Sequence, residues 1–353
     1  MQRSNASIAA AIFVVMAAVL LFFHGQRIVL TNDEGIILEA AQRMSEGQRL
    51  YADFFGYMSP GSYWLHSGVY RIAGVALWTG RMIVILDFAV QCALVFWLTM
   101  RFSSSNAAAA SRNAAVAAVA AFAGFQIADP SLLTATHRWD SATLALAALC
   151  LAVRSVRPSW RGWSWAAVGA LEAAAAWCTP SMALVAAVTF AWIVLSRERR
   201  RFALPLLGGG AVIGVLGVGI LAVNGSLAGF LEQMAWLSRN YSAVNIMPYG
   251  SVIGGYAALF EGGSGALDLG VRAILVLGIA LPAIVPAAAI LLWAGALWRG
   301  NVPQENRAPV LLLLAAVGAL VITTLPRSDV AHLAFVAAIP AALTAAGIAL
   351  MMP

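Results

Sequence analysis

The sequence contains little charge and no lysine. Charged residues make up 10% of its 353 residues and hydrophobic residues 62%, whereas a soluble domain carries roughly 25% charged residues. All 21 lysine-plus-arginine positions are arginine. This balance excludes a water-soluble globular fold, and the basic soluble face that a nucleic-acid-binding protein needs is missing. The composition therefore predicts a membrane protein with no nucleic-acid partner.

Cysteine is also sparse. Cys92, Cys150 and Cys178 are the three cysteines, and their spacing is typical of neither a disulfide framework nor a zinc site. We interpret them as packing residues in or beside apolar stretches.

Long apolar blocks recur along the whole chain, with lengths suited to helices that cross a ~30 Å hydrocarbon core. We predict an all-α, polytopic membrane helix bundle of about ten transmembrane helices. It forms a single domain over residues 1–353. Gly210 and Gly214 are a small-xxx-small pair, which predicts close helix contact. The predicted spans are residues 8–24, 80–100, 113–128, 140–154, 163–178, 181–196, 202–223, 270–298, 309–325 and 331–351.

The distribution of charge predicts the orientation of the bundle. Arginines gather in one set of connections, including Ser196–Arg201, and acidic residues gather in the other. An excess of arginine marks the cytoplasmic side. The two long acidic connections, residues 25–79 and 224–269, are therefore predicted to face outward. The arginines on the cytoplasmic side are Arg3, Arg101, Arg112, Arg154, Arg157, Arg161, Arg197, Arg199, Arg200, Arg201, Arg299 and Arg307.

The first outward loop contains a predicted helix and several aromatic residues. Gly47 is a suitable C-terminal stop for this helix. Apolar residues recur at helical spacing before it, which predicts an amphipathic helix lying on the membrane surface. The apolar positions are Ile36, Ile37, Ala40, Ala41 and Met44; the aromatic residues that follow are Tyr51, Phe54, Phe55, Tyr63 and Trp64.

The motifs of this loop resemble those of a known superfamily. Asp33-Glu34 follows the first span, Leu50-Tyr51-Ala52-Asp53-Phe54 follows the predicted helix, and Pro60-Gly61-Ser62-Tyr63-Trp64 comes next. Over residues 31–66 this pattern is similar to the GT-C glycosyltransferases, and most of all to bacterial members similar to protein O-mannosyltransferases and aminoarabinose transferases. The resemblance implies a GT-C-like first outer loop that carries surface helices.

The resemblance also implies an activity. Such enzymes transfer a sugar from a polyprenyl-phosphate carrier to a lipid, glycan or protein acceptor at the outer face of the bacterial cytoplasmic (inner) membrane. The acidic residue that opens the loop corresponds to Asp33, which is thereby expected to be the general base, with Glu34 as a supporting catalytic residue. A carboxylate in this position makes an acceptor hydroxyl or amine nucleophilic by removing its proton. Tyr51 and Asp53 are expected to contact substrate.

Two further polar clusters are predicted at the outer ends of spans. Each contains an arginine, and a guanidinium matches phosphate oxygens in bidentate geometry and stays charged. Arg138 and Arg327 are therefore candidates to hold the carrier phosphate, with Arg239 and Arg81 in reserve. The cluster members predicted to bind substrate or phosphate are His137, Arg138 and Asp140, and Arg327, Asp329 and His332.

Each assignment has a structural alternative. Asn32 or Asp33 can simply cap the predicted helix. Arg138 and Arg327 can be interfacial anchors, and the aromatic residues can form a belt at the headgroups. No cofactor is predicted. All four histidines are predicted on the same outward side as Asp33 and Glu34. A bound divalent metal is therefore an alternative, although no metal-ligand spacing supports one.

Two acids inside predicted spans motivate a different class of function. Asp87 and Glu172 lie in apolar segments, where a carboxyl group is costly and often marks an ion pathway. A proton-coupled transporter or a lipid-carrier flippase is therefore the alternative to a transferase. A noncatalytic relative of the transferases is a third hypothesis.

Overall fold

A computed structural model describes residues 2–25, 32–103, 108–128, 132–155, 162–246 and 265–351. The described residues form α-helices, two short 3₁₀ turns and one isolated bridge between Leu50 and Phe54. The helices are α1 Gln2–His24, α2 Asn32–Ser45, α3 Pro60–Ala73, α4 Leu77–Phe102, α5 Ala108–Ala128, α6 His137–Ser155, α7 Gly162–Cys178, α8 Ala183–Val194, α9 Ala203–Val223, α10 Leu227–Asn245, α11 Ala266–Trp298, α12 Gln304–Thr323, α13 Val330–Phe335 and α14 Ala338–Met351.

The predicted all-α membrane architecture is confirmed. Within the described ranges, five segments are long and apolar enough to cross a membrane, and two shorter segments are also apolar, Pro180–Val194 and Ala338–Met351. The remaining predicted spans coincide with α5, α6 and α7. The last one, 331–351, differs because α13 ends at Phe335 and a separate helix, α14, begins at Ala338. The five long segments are Asn5–His24, Leu77–Phe102, Arg200–Val223, Ala280–Trp298 and Gln304–Thr323.

The core lies where α4, α5, α6 and α14 meet. Trp139 is fully buried there, and its ring makes edge contacts with Phe88 of α4 and Phe335 of α13. Cys92 and Cys150 belong to the same apolar cluster. All three cysteines are buried and unpaired, as their interpretation as packing residues requires.

Helices α7 and α9 approach closely through glycines, of which only Gly210 belongs to the predicted pair. A methyl group added to Gly169 would lie 1.9 Å from the carbonyl oxygen of Leu206, and one added to Gly209 would lie 1.8 Å from that of Ala166. Gly214 faces open space. The contact therefore uses Gly169, Gly209 and Gly210. Gly214 lies outside the face of α9 that is closest to α7.

Helix α2 is amphipathic, as predicted, but its apolar face meets protein. Ile37 and Ala41 are fully buried, and Ile37 packs in a cluster with Tyr51, Tyr63 and Leu221. Residues of α3 and of the end of α9 cover part of this face, and the position of α2 at the membrane surface stays a prediction. The helix ends before Gly47, which has a positive φ of 99° as the predicted stop requires.

The two long connections contact each other. Helix α10, in the second connection, lies against the first loop at Gly229, where an added methyl group would lie 2.1 Å from the carbonyl oxygen of Tyr51. The backbone N–H of Gly56 donates to Oε1 of Gln233 at 2.8 Å. This contact fits the prediction that the two long connections lie on the same side of the membrane.

Candidate functional site

A buried ion pair fixes the start of the first loop. The Arg81 guanidinium on α4 donates to both carboxylate oxygens of Glu34, at 2.9 Å from Nε and 2.6 Å from Nη2. Both residues are buried. Glu34 Oε1 also accepts the backbone N–H of Ala135 at 3.2 Å, and Arg81 donates to the carbonyl of His24 at 3.0 Å. One carboxylate thereby joins α2, α4 and the segment that leads into α6.

Asp33 occupies the first turn of α2, next to this ion pair in the chain. Its side chain and that of Asn32 lie outside the part of the chain that the structure describes, so their roles stay predictions. Glu34 follows it and reaches Ala135, three residues before Arg138. The backbone of Asp33 is therefore held near the start of α6.

Arg138 is buried at the start of α6. Its Nη1 donates to the carbonyl oxygen of Thr323 at 3.1 Å, and Tyr241 of α10 lies near its guanidinium. No described group accepts a hydrogen bond from its Nε. A buried guanidinium with a free N–H keeps capacity for an anionic ligand.

Asp329 joins the second predicted cluster to α13. Its carboxylate accepts from Arg327 Nε at 2.8 Å, from the backbone N–H of His332 at 2.9 Å, and lies 2.7 Å from His332 Nδ1. Burial alone would raise the pKa of Asp329. The hydrogen bonds and charge of His332, together with the hydrogen bond from Arg327, outweigh this effect, and the pKa of Asp329 lies well below its usual range. Asp329 is therefore ionised at neutral pH, and its negative charge partly offsets the positive charges of Arg327 and Arg138.

His137 contacts the end of α7 and also lies close to Arg138 and His332. Its Nδ1 lies 2.7 Å from Oγ1 of Thr179, and that hydroxyl donates on to Ser141 at 2.9 Å. The imidazole thus connects the start of α6 to the end of α7. Arg138, Arg327, Asp329 and His332 come together, because the charges of Arg327 and Asp329 act on Arg138 and that of Arg138 acts on His332.

Asp140 lies deeper, in a group that the sequence does not reveal. It is 2% exposed, and its Oδ2 lies 3.8 Å from Nε2 of His66 on α3. The carboxyl group of Asp87 on α4 lines the same cavity as that of Asp140. Asp140 therefore faces another acid rather than the Asp329 cluster.

Tyr51 and Asp53 lie elsewhere in the first loop. Tyr51 is 4% exposed with a positive φ of 68°, and its hydroxyl donates to the carbonyl of Met58. Asp53 pairs with Arg49 at 2.8 Å in a turn that is open to solvent. No contact described for either residue reaches Arg138 or Glu34, so their substrate-binding roles stay predictions.

Sequence reasoning missed three partners. Arg81 pairs with Glu34 across 47 residues, Tyr241 reaches Arg138 from another loop, and His66 approaches Asp140. Arg81 was only a reserve for phosphate. The signal for the Arg81–Glu34 pair is an acid near the end of the first span and an arginine near the start of the second, because a buried charge is costly without an opposite charge beside it. Tyr241 carries no local signal.

The described residues contain no group of three or more histidine, cysteine, aspartate or glutamate side chains that could hold a metal ion. The side chain of Asp33 lies outside the described part of the chain, so a metal bound beside it stays a hypothesis.

Solved structures resemble the chain over nearly its whole length. ArnT from Cupriavidus metallidurans bound to undecaprenyl phosphate aligns with a TM-score of 0.62 and 19% identity, covering 97% of this chain and 59% of that one. The apo form gives 0.56 and 19%, covering 98% and 60%. The Archaeoglobus fulgidus oligosaccharyltransferase in complex with Zn and sulfate gives 0.53 and 14%, covering 97% and 48%. No family model and no curated protein matches the sequence.

The fold and the five long apolar segments among the described residues define a multi-pass helical membrane protein. The chain has the fold of the solved ArnT and oligosaccharyltransferase structures. It spans about 60% or less of the length of the solved chains it matches.

Proposed function

We propose that this protein is a membrane glycosyltransferase that moves a sugar from a polyprenyl-phosphate carrier to a hydroxyl or amine of a lipid, glycan or protein acceptor. The reaction takes place at the outer face of the bacterial inner membrane. The GT-C fold supports the general kind of activity, as does the undecaprenyl phosphate bound to ArnT.

The observation that carries the donor assignment is the environment of Arg138. It is buried, its Nε has no described acceptor, and it lies beside Arg327, His332 and Asp329. A carrier phosphate entering here would find two guanidinium groups with only one carboxylate to compete. Away from water such charge-assisted hydrogen bonds are strong, so Arg138 and Arg327 hold the donor phosphate under this proposal.

Asp33 is the general base under the same proposal. It lies in the first turn of α2, where unpaired backbone N–H groups and the helix dipole favour an ionised carboxylate. Glu34, paired with Arg81 and bonded to Ala135, keeps this turn against the entrance to α6. Glu34 therefore supports catalysis by positioning the turn and the acceptor bound beside it.

A proton-coupled transporter or lipid-carrier flippase is the second candidate, with a noncatalytic relative as the third. The close carboxyl groups of Asp87 and Asp140 favour the transporter reading, because paired acids inside a helical bundle can carry a proton. This pair lies in the same bundle as the Arg138 site, so activity has to decide between them.

Single-turnover sugar transfer from saturating polyprenyl-phosphate sugar tests the proposal. Asp33→Asn keeps the shape of the side chain and removes the base, so we expect transfer to fall about 100- to 10,000-fold with donor binding unchanged. Glu34→Gln should have a smaller effect. Arg138→Gln and Arg327→Gln should instead weaken donor binding, by about 1.5–3 kcal/mol for a hydrogen bond to a charged group.

Folded variants with intact melting curves serve as controls. Near wild-type transfer by Asp33→Asn would reduce Asp33 to a helix cap and move the search for the base to Glu34, Asp53 or Asp140. Unchanged donor affinity in both arginine variants would leave them as interfacial anchors. Solute movement across sealed vesicles, with no transfer by the wild-type protein, would favour the transporter.

A further inference from the structure

A cavity of about 370 Å³ opens between α3, α4, α6, α7 and α9. We call it the carboxyl cavity, because Asp87 and Asp140 form part of its lining. Its volume is in the range of small-molecule sites, which are mostly apolar with a few placed polar groups. It is lined by Gly61, Trp64, Leu65, Asp87, Asp140, Leu144, Ala174, Trp177, Cys178, Ile213, Leu216, Gly217 and Ile220.

The cavity opens toward the bilayer. Leu216 and Ile220 on α9 are 56% and 43% exposed, and Leu65 on α3 is 44% exposed. Helix α9 belongs to one of the spanning segments, so its exposed leucine and isoleucine face lipid. Gly217 leaves room at this wall for the Trp177 ring, which an added methyl group would meet at 2.4 Å. An apolar chain can therefore enter from the membrane.

The polar end of the cavity consists of hydrogen-bond acceptors. Oδ2 of Asp140 and Oδ2 of Asp87 are hidden from solvent, and neither accepts a hydrogen bond from a described protein group. Both carboxyl groups line the same cavity, so the charge they carry faces its interior. An uncompensated buried charge is costly, so this end favours a cation.

The groups around the pair supply no permanent positive charge. His66 of α3 is 3.8 Å from Asp140, and the Thr143 hydroxyl of α6 accepts a hydrogen bond from Gln91. Neither ring nitrogen of His66 has a described partner. No arginine lines the cavity, and α7 and α9 contribute only Cys178 and apolar side chains. An anionic headgroup would therefore meet like charge, whereas a primary ammonium would bring a charge and three N–H donors.

We propose that the carboxyl cavity binds a single-chain lipid with a primary ammonium head, its chain along Trp64, Trp177 and Leu216 and its nitrogen against Asp140 and Asp87. This site is separate from the donor phosphate site at Arg138. Binding can be measured without sugar transfer, so its failure and that of the proposed transferase activity are distinguishable.

Photocrosslinking in lipid nanodiscs tests the site. The probe is dodecylamine with a diazirine in its chain, and crosslinks are mapped by mass spectrometry. We expect labelling at Ile213, Leu216 or Ile220. Asp140→Asn and the double variant with Asp87→Asn should weaken apparent probe affinity about 10- to 100-fold, as expected for loss of a hydrogen bond to a charged group. The matched control is Glu172→Gln, another buried intramembrane carboxyl that lies outside the cavity lining.

Competition on the wild-type protein keeps the test independent of variant folding. Dodecylamine should displace the probe best. Dodecyltrimethylammonium has the charge without N–H donors, dodecanol has a donor without the charge, and dodecanoate has the opposite charge, so all three should compete at least about tenfold less well. Equal competition by dodecanol, or full labelling of a folded Asp87/Asp140 double variant, would overturn the proposal and leave a nonspecific lipid groove.

Discussion

The ion pair between Glu34 and Arg81 joins two segments that are far apart in sequence and have little access to water. Both carboxylate oxygens of Glu34 accept from the guanidinium, and one also accepts the Ala135 N–H. Breaking a buried pair on one side leaves an uncompensated charge, which costs more than the pair itself contributes. The geometry of the first loop therefore depends on both partners being present.

Replacing Arg81 by methionine tests this dependence. The substitution keeps an apolar stem but leaves the Glu34 carboxylate buried without its cation, so we expect a loss of about 3–5 kcal/mol in stability. The measurement is thermal unfolding of the purified protein in detergent. Combining Arg81→Met with Glu34→Gln removes the orphaned charge and should recover much of the loss, as a double-mutant cycle would report.

The control uses the pair of Arg43 and Glu39, which has the same chemistry on the exposed face of α2, at 2.7 Å. Exposed pairs contribute little, so Arg43→Met should melt close to wild type. An equal effect of Arg43→Met and Arg81→Met would show that burial does not determine the strength of the Glu34 pair.

At the scale of helices, the contact between α7 and α9 depends on the absence of side chains. Apolar helices in lipid gain little from hydrophobic burial against each other, so close backbone approach and van der Waals packing hold them. Gly169 and Gly209 each face a backbone carbonyl of the partner helix. A methyl group at either position would force the helices apart.

Gly169→Ala should therefore destabilise the protein by about 1–3 kcal/mol, the usual cost of overpacking. The matched substitution Gly214→Ala, on a face with open space, should be neutral or slightly stabilising because it lowers the entropy of the unfolded chain. Melting temperatures of the two variants in the same detergent give the comparison. Similar values would mean that α7 and α9 are held by other contacts.

At the scale of the whole molecule, local sequence patterns predict some features and miss others. Hydropathy locates the helices, and Gly47 marks the end of α2. Hydropathy does not reveal whether the apolar face of α2 meets lipid or protein, because both of these neighbours are apolar. The Asp329 cluster is predictable since its members are close in sequence, whereas the contact between Arg138 and Tyr241 forms only when α10 folds over the first loop.

The two ends of the bundle differ in charge in a way that predicts their sides. On α4, Arg81 pairs with Glu34 near one end, and Arg101 donates to Asn306 at 2.7 Å near the other. These arginines are 20 positions apart, about 30 Å along a helix, which matches the hydrocarbon core. The Arg101 end also contains the arginine-rich turn at Ser196–Arg201, and the Arg81 end contains both long connections.

Cysteine labelling in intact cells tests this orientation. In a chain without native cysteines, Gln48→Cys lies in the first loop and Glu198→Cys in the arginine-rich turn, and both native side chains are exposed. We expect a membrane-impermeant maleimide to modify Gln48→Cys from outside and to reach Glu198→Cys only after the cells are opened, because arginine-rich connections stay in the cytoplasm. A permeant maleimide that labels both in intact cells is the control for reactivity. Labelling of both positions by the impermeant reagent, or the reverse pattern, would overturn the orientation and place the Arg138 site on the cytoplasmic side, away from an outer-face acceptor.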